Sequence, residues 1–405
     1  MSRPTERFGF GVNVAITVLA TLAIGSVAYA GMVRALHPVA VALPAASPTP
    51  SRLTPPSPKN TAPAPVPAPP VGAPSLALED LDLTDASTGW VLLSNCAYAS
   101  AATCQYFVAA TQDGADSWST PVQVGPGFDR TDGDAPRTVR FLNHQDGFVY
   151  GHDDAYVTHD GGTTWAGAGL PAKFVDGIAT GGQTVWAVTS PCGKGVQCQQ
   201  EVRRSLDGGR SWLAPHALPL GFYPEALVPF LSGVMMSSVP LGDIQMTSDG
   251  GATWRAVKSQ CLANPFRGSV ATSDGKELWE LCTDNVDTTA NTADKALFVS
   301  EDGGKSWSKR ASSLPGGALQ PYGFPDWIVS NRSHVAFMSG ALTPLVTHDG
   351  GATWAAAGLD ATGLWLIRFA GSHYGWALEG TRSIWATSDG GETWNQIGGL
   401  PSSVG

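Results

Sequence analysis

The chain has 405 residues, a formal net charge of −10, six cysteines and 14 tryptophans. Residues 76–405 alone hold 19 Lys and Arg against 33 Asp and Glu, with no basic run. That balance argues against nucleic acid and anionic lipid headgroups as partners of this part of the chain.

Arg3 and Arg7 precede an uncharged run from Phe8 to Val33 that is long enough to cross a bilayer. Within it, Ala28-Tyr29-Ala30 has the small-x-small spacing of a signal-peptidase site. The run before that site exceeds the usual length of a signal core. This favours a retained single-pass anchor over residues 1–34, with all that follows outside the cytoplasm, over secretion after cleavage following Ala30. No cysteine lies here, which removes a lipoprotein anchor. Residues 35–75 read as a disordered spacer: thirteen prolines fall between 38 and 75 among Ala, Ser, Thr and Val. Such a segment cannot bury a core, and as polyproline II at about 3.1 Å per residue it reaches on the order of 100 Å.

From residue 76 to 405 the chain is repetitive. The phrase S/T-x-D-G-G-x-S/T-W recurs seven times, with aspartates Asp113, Asp160, Asp207, Asp249, Asp302, Asp349 and Asp389. The spacings, 47, 47, 42, 53, 47 and 40 residues, match one four-stranded propeller blade per unit. The fold class expected is all-β, a seven-bladed propeller. Each unit has a short apolar strand, a strand opened by a pair such as Gly89-Trp90, Gly147-Phe148, Val185-Trp186, Leu278-Trp279 or Gly375-Trp376, a strand running into the box, and a strand starting at the box Trp. Several units close on Leu-Pro, as at Leu170-Pro171, Leu218-Pro219, Leu314-Pro315 and Leu400-Pro401, where the missing N–H ends pairing. The ring reads as whole blades, with no swapped strand required.

Inside a box, the Asp carboxylate should accept backbone N–H groups two or three residues ahead and the Gly pair should supply positive φ. The hydroxyls are expected to add weaker bonds, and the Trp to fill the gap to the neighbouring blade. The first box carries Ala115 in place of the second Gly, so its turn should be strained or differently shaped. One carboxylate per box is too few for a calcium loop, so the boxes read as structural.

The cysteines pair by position. Cys96 and Cys104 in the first unit, and Cys192 and Cys198 in the third, flank the link between second and third strands; Cys261 and Cys282 bracket the inner strands of the fifth. Three local disulfides leave no odd thiol, as expected outside the cytoplasm. The spacing suits zinc poorly, and no metal or cofactor is expected.

One charged constellation stands out. Arg140, Arg368 and Asp82 each lie seven residues before the Gly of their unit's Gly-aromatic pair. They belong to units two, seven and one, which a closed ring makes neighbours. If that slot faces the channel, the three form a cluster at the seam. It reads either as a ring-closing ion-pair network or as a carboxylate- or phosphate-binding site whose guanidiniums Asp82 orients.

The boxes, such as THDGGTTW and TSDGGETW, with strands such as SHYGWALEG one strand upstream, resemble the BNR or Asp-box repeat proteins. Seven units behind an N-terminal export segment are most similar to the photosystem II assembly and stability factor family of seven-bladed propellers. The resemblance covers roughly residues 76 to 401. It implies a non-enzymatic scaffold that engages membrane-protein partners; the Ala, Pro and Gly richness and long stalk lend no support to a photosynthetic setting. The function expected is therefore binding of an envelope or membrane protein, or of a cell-wall glycan. The alternative is a glycan-processing hydrolase, since sialidases share the boxes. Against it, the chain has no Arg-Ile-Pro signature, no Arg between residues 76 and 110, and no G-x-S-x-G or H-E-x-x-H motif, so no catalytic residue is assigned.

Overall fold

A computed structural model describes residues 76–401 except 97–102, 130–136, 152, 192–197, 239–242, 262–267, 288, 291, 314–316, 318, 320–326, 339–343, 360–363, 381–382 and 398–399. The N-terminal anchor, the spacer, Cys192 and Leu314-Pro315 lie outside the described residues.

Among the described residues the secondary structure is strands without helices, arranged as seven four-stranded antiparallel sheets. Each sheet takes its four strands consecutively from the sequence, so the blades are whole and no strand is exchanged between the first and the last. The innermost strands are Ala77–Leu83, Thr138–Phe141, Phe174–Gly181, Pro224–Phe230, Gly268–Ala271, Ile328–Arg332 and Leu364–Ala370. Each touches the next, and the seventh touches the first, which closes the ring. With no shared strand, side chains hold the seam. Leu81, Leu83, Val91 and Leu93 of blade 1 form one buried cluster with Trp376, Leu378 and Ile384 of blade 7.

The box tryptophans follow one rule around the ring. Trp118 meets Trp376 of blade 7 edge-on at 6.1 Å, Trp212 meets Phe148 of blade 2 at 6.3 Å, Trp254 meets Trp186 of blade 3 at 5.9 Å, and Trp394 meets Phe337 of blade 6 at 6.5 Å. In each case the partner is the large residue in the second strand of the preceding blade. Trp165, Trp307 and Trp354 join the buried clusters of blades 1, 4 and 5 in the same sense. The staple expected of the Trp is thus a directional ring contact at four junctions, and at the other three the Trp packs on a cluster shared by the two adjoining blades.

The turn chemistry extends the expectation. In all seven boxes the carboxylate reaches the amide four residues ahead, and in the fifth Asp302 also accepts the Lys305 N–H, three ahead, at 3.0 Å. In the third box, Asp207 Oδ1 accepts the Ser211 N–H at 2.9 Å, and Oδ2 accepts the Ser211 hydroxyl at 2.5 Å. The leading hydroxyl is no minor addition. Buried Ser205 donates to Asp207 at 2.7 Å and accepts the Gly209 N–H at 2.8 Å, and the other six boxes repeat this. These bonds hold the box carboxylates below the usual range; the Ser117 hydroxyl and amide bring Asp113 to about 2. Both glycines have positive φ, 72° and 91° in the third box. The second also makes room for the preceding blade: a methyl on Gly209 would stand 2.6 Å from Phe148, and one on Gly391 2.3 Å from Phe337. Ala115 keeps the shared shape, with φ 74° and its N–H on Thr111 at 3.0 Å, so the first box is strained but not reshaped. There Trp376 leans on Gly89, whose absent Cβ would meet it at 2.4 Å, and the Ala115 methyl packs into the seam cluster.

Cys96 and Cys104 are bonded, with Cα atoms 4.7 Å apart, as are Cys261 and Cys282 at 5.2 Å. Cys198 is disulfide-bonded as well, and no free cysteine occurs among the described residues. Cys261, Glu280 and Cys282 come together, but the disulfide uses both sulfurs.

Candidate functional site

The inner strands enclose a channel of about 640 Å³. In every blade one inner-strand residue pairs with the large residue of the second strand. Asp82 faces Trp90, Arg140 faces Phe148, Ala179 faces Trp186, Val228 faces Met235, Ala271 faces Trp279, Val329 faces Phe337 and Arg368 faces Trp376. All seven line the channel, and no box residue does. The wall formed by blades 7, 1 and 2 therefore carries charge at a level where blades 3 to 6 present only Ala and Val. The structure brings Asp82, Arg140 and Arg368 to that wall.

The roles within the cluster are not those the spacing suggests. Arg140 pairs with Asp80, not Asp82: its Nη1 lies 2.7 Å from Asp80 Oδ2, with the side chains 17% and 6% exposed. Asp80 also accepts the Val139 N–H at 3.1 Å, and Asp82 accepts the Phe141 N–H at 2.6 Å. Both carboxylates thus cap the free edge of the next blade's inner strand, and among the described residues Asp82 makes no hydrogen bond to a guanidinium. Asp80 escaped the sequence reading, although its place two residues before Asp82 in an apolar strand puts both on one face.

Burial opposes the charge on Arg140, but the Asp80 carboxylate more than offsets it and the pKa rises. Asp82 goes the other way. Burial pushes its carboxyl up to about 6, against the pull of Arg140, the Phe141 amide and Arg368. Arg368 is lowered by burial and by the like charge of Arg140. It makes no ion pair among the described residues, and its buried Nε has no hydrogen-bond partner there. A guanidinium with an open donor beside a second guanidinium, in a walled channel, suits a planar anionic group such as a carboxylate or phosphate. Elsewhere on the wall Tyr150 donates to the Ile178 carbonyl at 3.1 Å and Asp176 accepts from Gln200 at 3.1 Å, whereas the buried Thr84 hydroxyl, like Arg368 Nε, has no partner among the described residues.

Solved structures resemble this ring. YCF48 bound to D1 peptide superposes with a TM-score of 0.51 at 17% identity, over 78% of this chain and 94% of that one. The β-propeller domain of the Trilobed protease from Pyrococcus furiosus, reported with an open velcro topology, gives 0.52 at 9% identity, over 80% and 98%. An ancestral GH74 enzyme gives 0.49 at 13%, over 81% of this chain and 47% of the enzyme. The first two, at 17% and 9% identity, establish the β-propeller fold and nothing finer. The family resemblance drawn from the boxes stands at that level. No family model matches the chain, and no curated protein matches it by sequence.

Proposed function

We propose that this chain is a non-enzymatic binding propeller, held outside the cytoplasm on an N-terminal anchor and proline-rich stalk, that engages an envelope or membrane protein through the charged wall of its channel. Arg368 is the residue that receives the partner, through a carboxylate or phosphate group, with Arg140 and Asp82 beside it. The observation that carries this reading is the buried Nε of Arg368, without a partner among the described residues, on the charged arc of the seven-residue slot. A protein partner fits the structural neighbour YCF48, whose structure holds a D1 peptide. The acidic balance of residues 76–405 fits a protein or a polar ligand better than nucleic acid.

Asp82 gives the reading a pH dependence. With both arginines and both aspartates ionised, the wall is neutral. Protonation of Asp82 as pH falls through about 6 leaves one positive charge in excess, so an anionic group binds more tightly below that pH. The stability effect has a definite sign as well. A carboxyl whose folded pKa is raised contributes stability that is complete below about 4 and lost as pH rises through about 6.

The test uses the full chain in detergent to capture proteins from solubilised membranes at pH 5.5 and 7.5. Wild-type chain should retain one membrane protein more strongly at pH 5.5, and Asp82→Asn, uncharged throughout, should retain it equally at both. Capture that ignores pH in the wild-type chain, or a pH step that persists in Asp82→Asn, contradicts the proposal.

A further inference from the structure

A second cavity, independent of the channel, opens on the box side of blades 2 and 3. Its volume is about 430 Å³, within the roughly 300 to 1,000 Å³ of small-ligand clefts. The half-buried Trp165 forms part of its wall, the apolar floor comes from Val157 and small residues, and His159 and Arg210 supply the polar groups. These belong to the second and third boxes, so two structural turns meet here around a hollow.

Asp146 fixes both polar groups from behind. This carboxylate, on a side chain 11% exposed, accepts from His159 Nδ1 at 2.7 Å and from Arg210 Nη1 at 2.9 Å, while Asn143 holds its other oxygen at 3.0 Å. Arg210 Nη1 also donates to the Asp207 carbonyl at 2.7 Å. With Nδ1 of His159 used, its Nε2 is left to the pocket; with Nη1 of Arg210 used, Nε and Nη2 have no partner among the described residues. Two planar polar groups are therefore held in fixed orientation beside an indole.

The charges select the ligand class. Asp146 already neutralises Arg210, and the Asp160 carboxylate lies on the rim, so the cavity holds no surplus positive charge for a carboxylate or phosphate. Arg210 and His159 offer directional hydrogen bonds to hydroxyls, and the part of Trp165 that lines the cavity offers apolar aromatic surface to the C–H side of a ring. We infer that this rim cavity, built from Trp165, His159 and Arg210, is a binding site for a neutral pyranose unit of a glycan.

The test is saturation-transfer NMR on the full chain in detergent with cellobiose, maltose, N,N′-diacetylchitobiose and α-1,6-mannobiose, and with digalacturonate as the anionic comparison. At least one neutral disaccharide should receive saturation, and digalacturonate should receive less. Arg210→Ala loses the bonds to Asp146 and to the Asp207 carbonyl and should melt somewhat earlier, but it should still unfold cooperatively, because the Asp207 carboxylate bonds that shape the turn do not involve the Arg210 side chain, and below its melting point the signal should fall at least tenfold. Arg368→Ala should leave it intact, which separates this cavity from the channel. The inference is overturned if no neutral disaccharide binds, if digalacturonate binds best, or if binding survives Arg210→Ala.

Discussion

Trp212→Ala should lower the unfolding free energy by about 3 kcal/mol, the low end of the range for emptying a large aromatic site, because Trp212 is half-buried against its cluster. The ring of Trp212 bridges the third box to Phe148 of blade 2, and the buried indole N–H has no partner among the described residues, so its contribution is packing rather than hydrogen bonding. The cavity left behind would open between two blades instead of inside one. Unfolding should stay cooperative, since the neighbouring junctions keep their own aromatic pairs. Denaturant unfolding of wild-type and variant chains at neutral pH measures the difference; a loss below about 1 kcal/mol would mean that the box tryptophans do not join the blades.

Arg140→Ala should cost a comparable amount, about 3 to 5 kcal/mol, because it strands Asp80 as a buried charge. Asp80 would keep only the Val139 amide, at 3.1 Å. The double change Arg140→Ala with Asp80→Asn should recover much of that loss, since it removes the uncompensated charge together with its partner. The two seam arginines thus have separate roles. Arg140 is tied into the junction between blades 1 and 2, as a ring-closing ion pair would be, and Arg368 is not. If the double variant is no more stable than Arg140→Ala alone, the desolvated charge of Asp80 is not what the pair compensates.

Most of the fold was legible because a propeller repeats its signal. The box Asp, the paired glycines and the Trp recur at blade-length spacing, and a turn with two positive-φ positions has few sequence solutions. Two units were harder. Blades 4 and 6 place Met235 and Phe337 at the interblade position without the Gly-aromatic or apolar-Trp pair that marks the other five. The second box glycine signals only its φ in the sequence, whereas Gly209 and Gly391 also clear space for Phe148 and Phe337, side chains 61 and 54 residues earlier in the chain. At the seam, equal offsets from the Gly-aromatic pair placed Asp82, Arg140 and Arg368 on one wall because register is fixed by the hairpin. Which carboxylate meets which guanidinium depends on how far one blade's inner strand slides past the next, and no local pattern encodes that. Hence Asp80 was missed. The rim cavity was illegible for the same reason: His159 and Arg210 belong to different boxes and meet only through Asp146.

The central claim is that Arg368 is kept for a partner and not for the ring, and one paired measurement on Arg368→Ala tests it. Melting temperature and capture of the membrane partner are compared with wild type at pH 5.5, where Asp82 is largely protonated. Arg368 holds no ion pair among the described residues, so the variant should melt within a few degrees of wild type and lose capture at least tenfold. A variant that melts early while capture survives would make Arg368 a structural residue, and the charged wall would no longer be the site where this propeller binds.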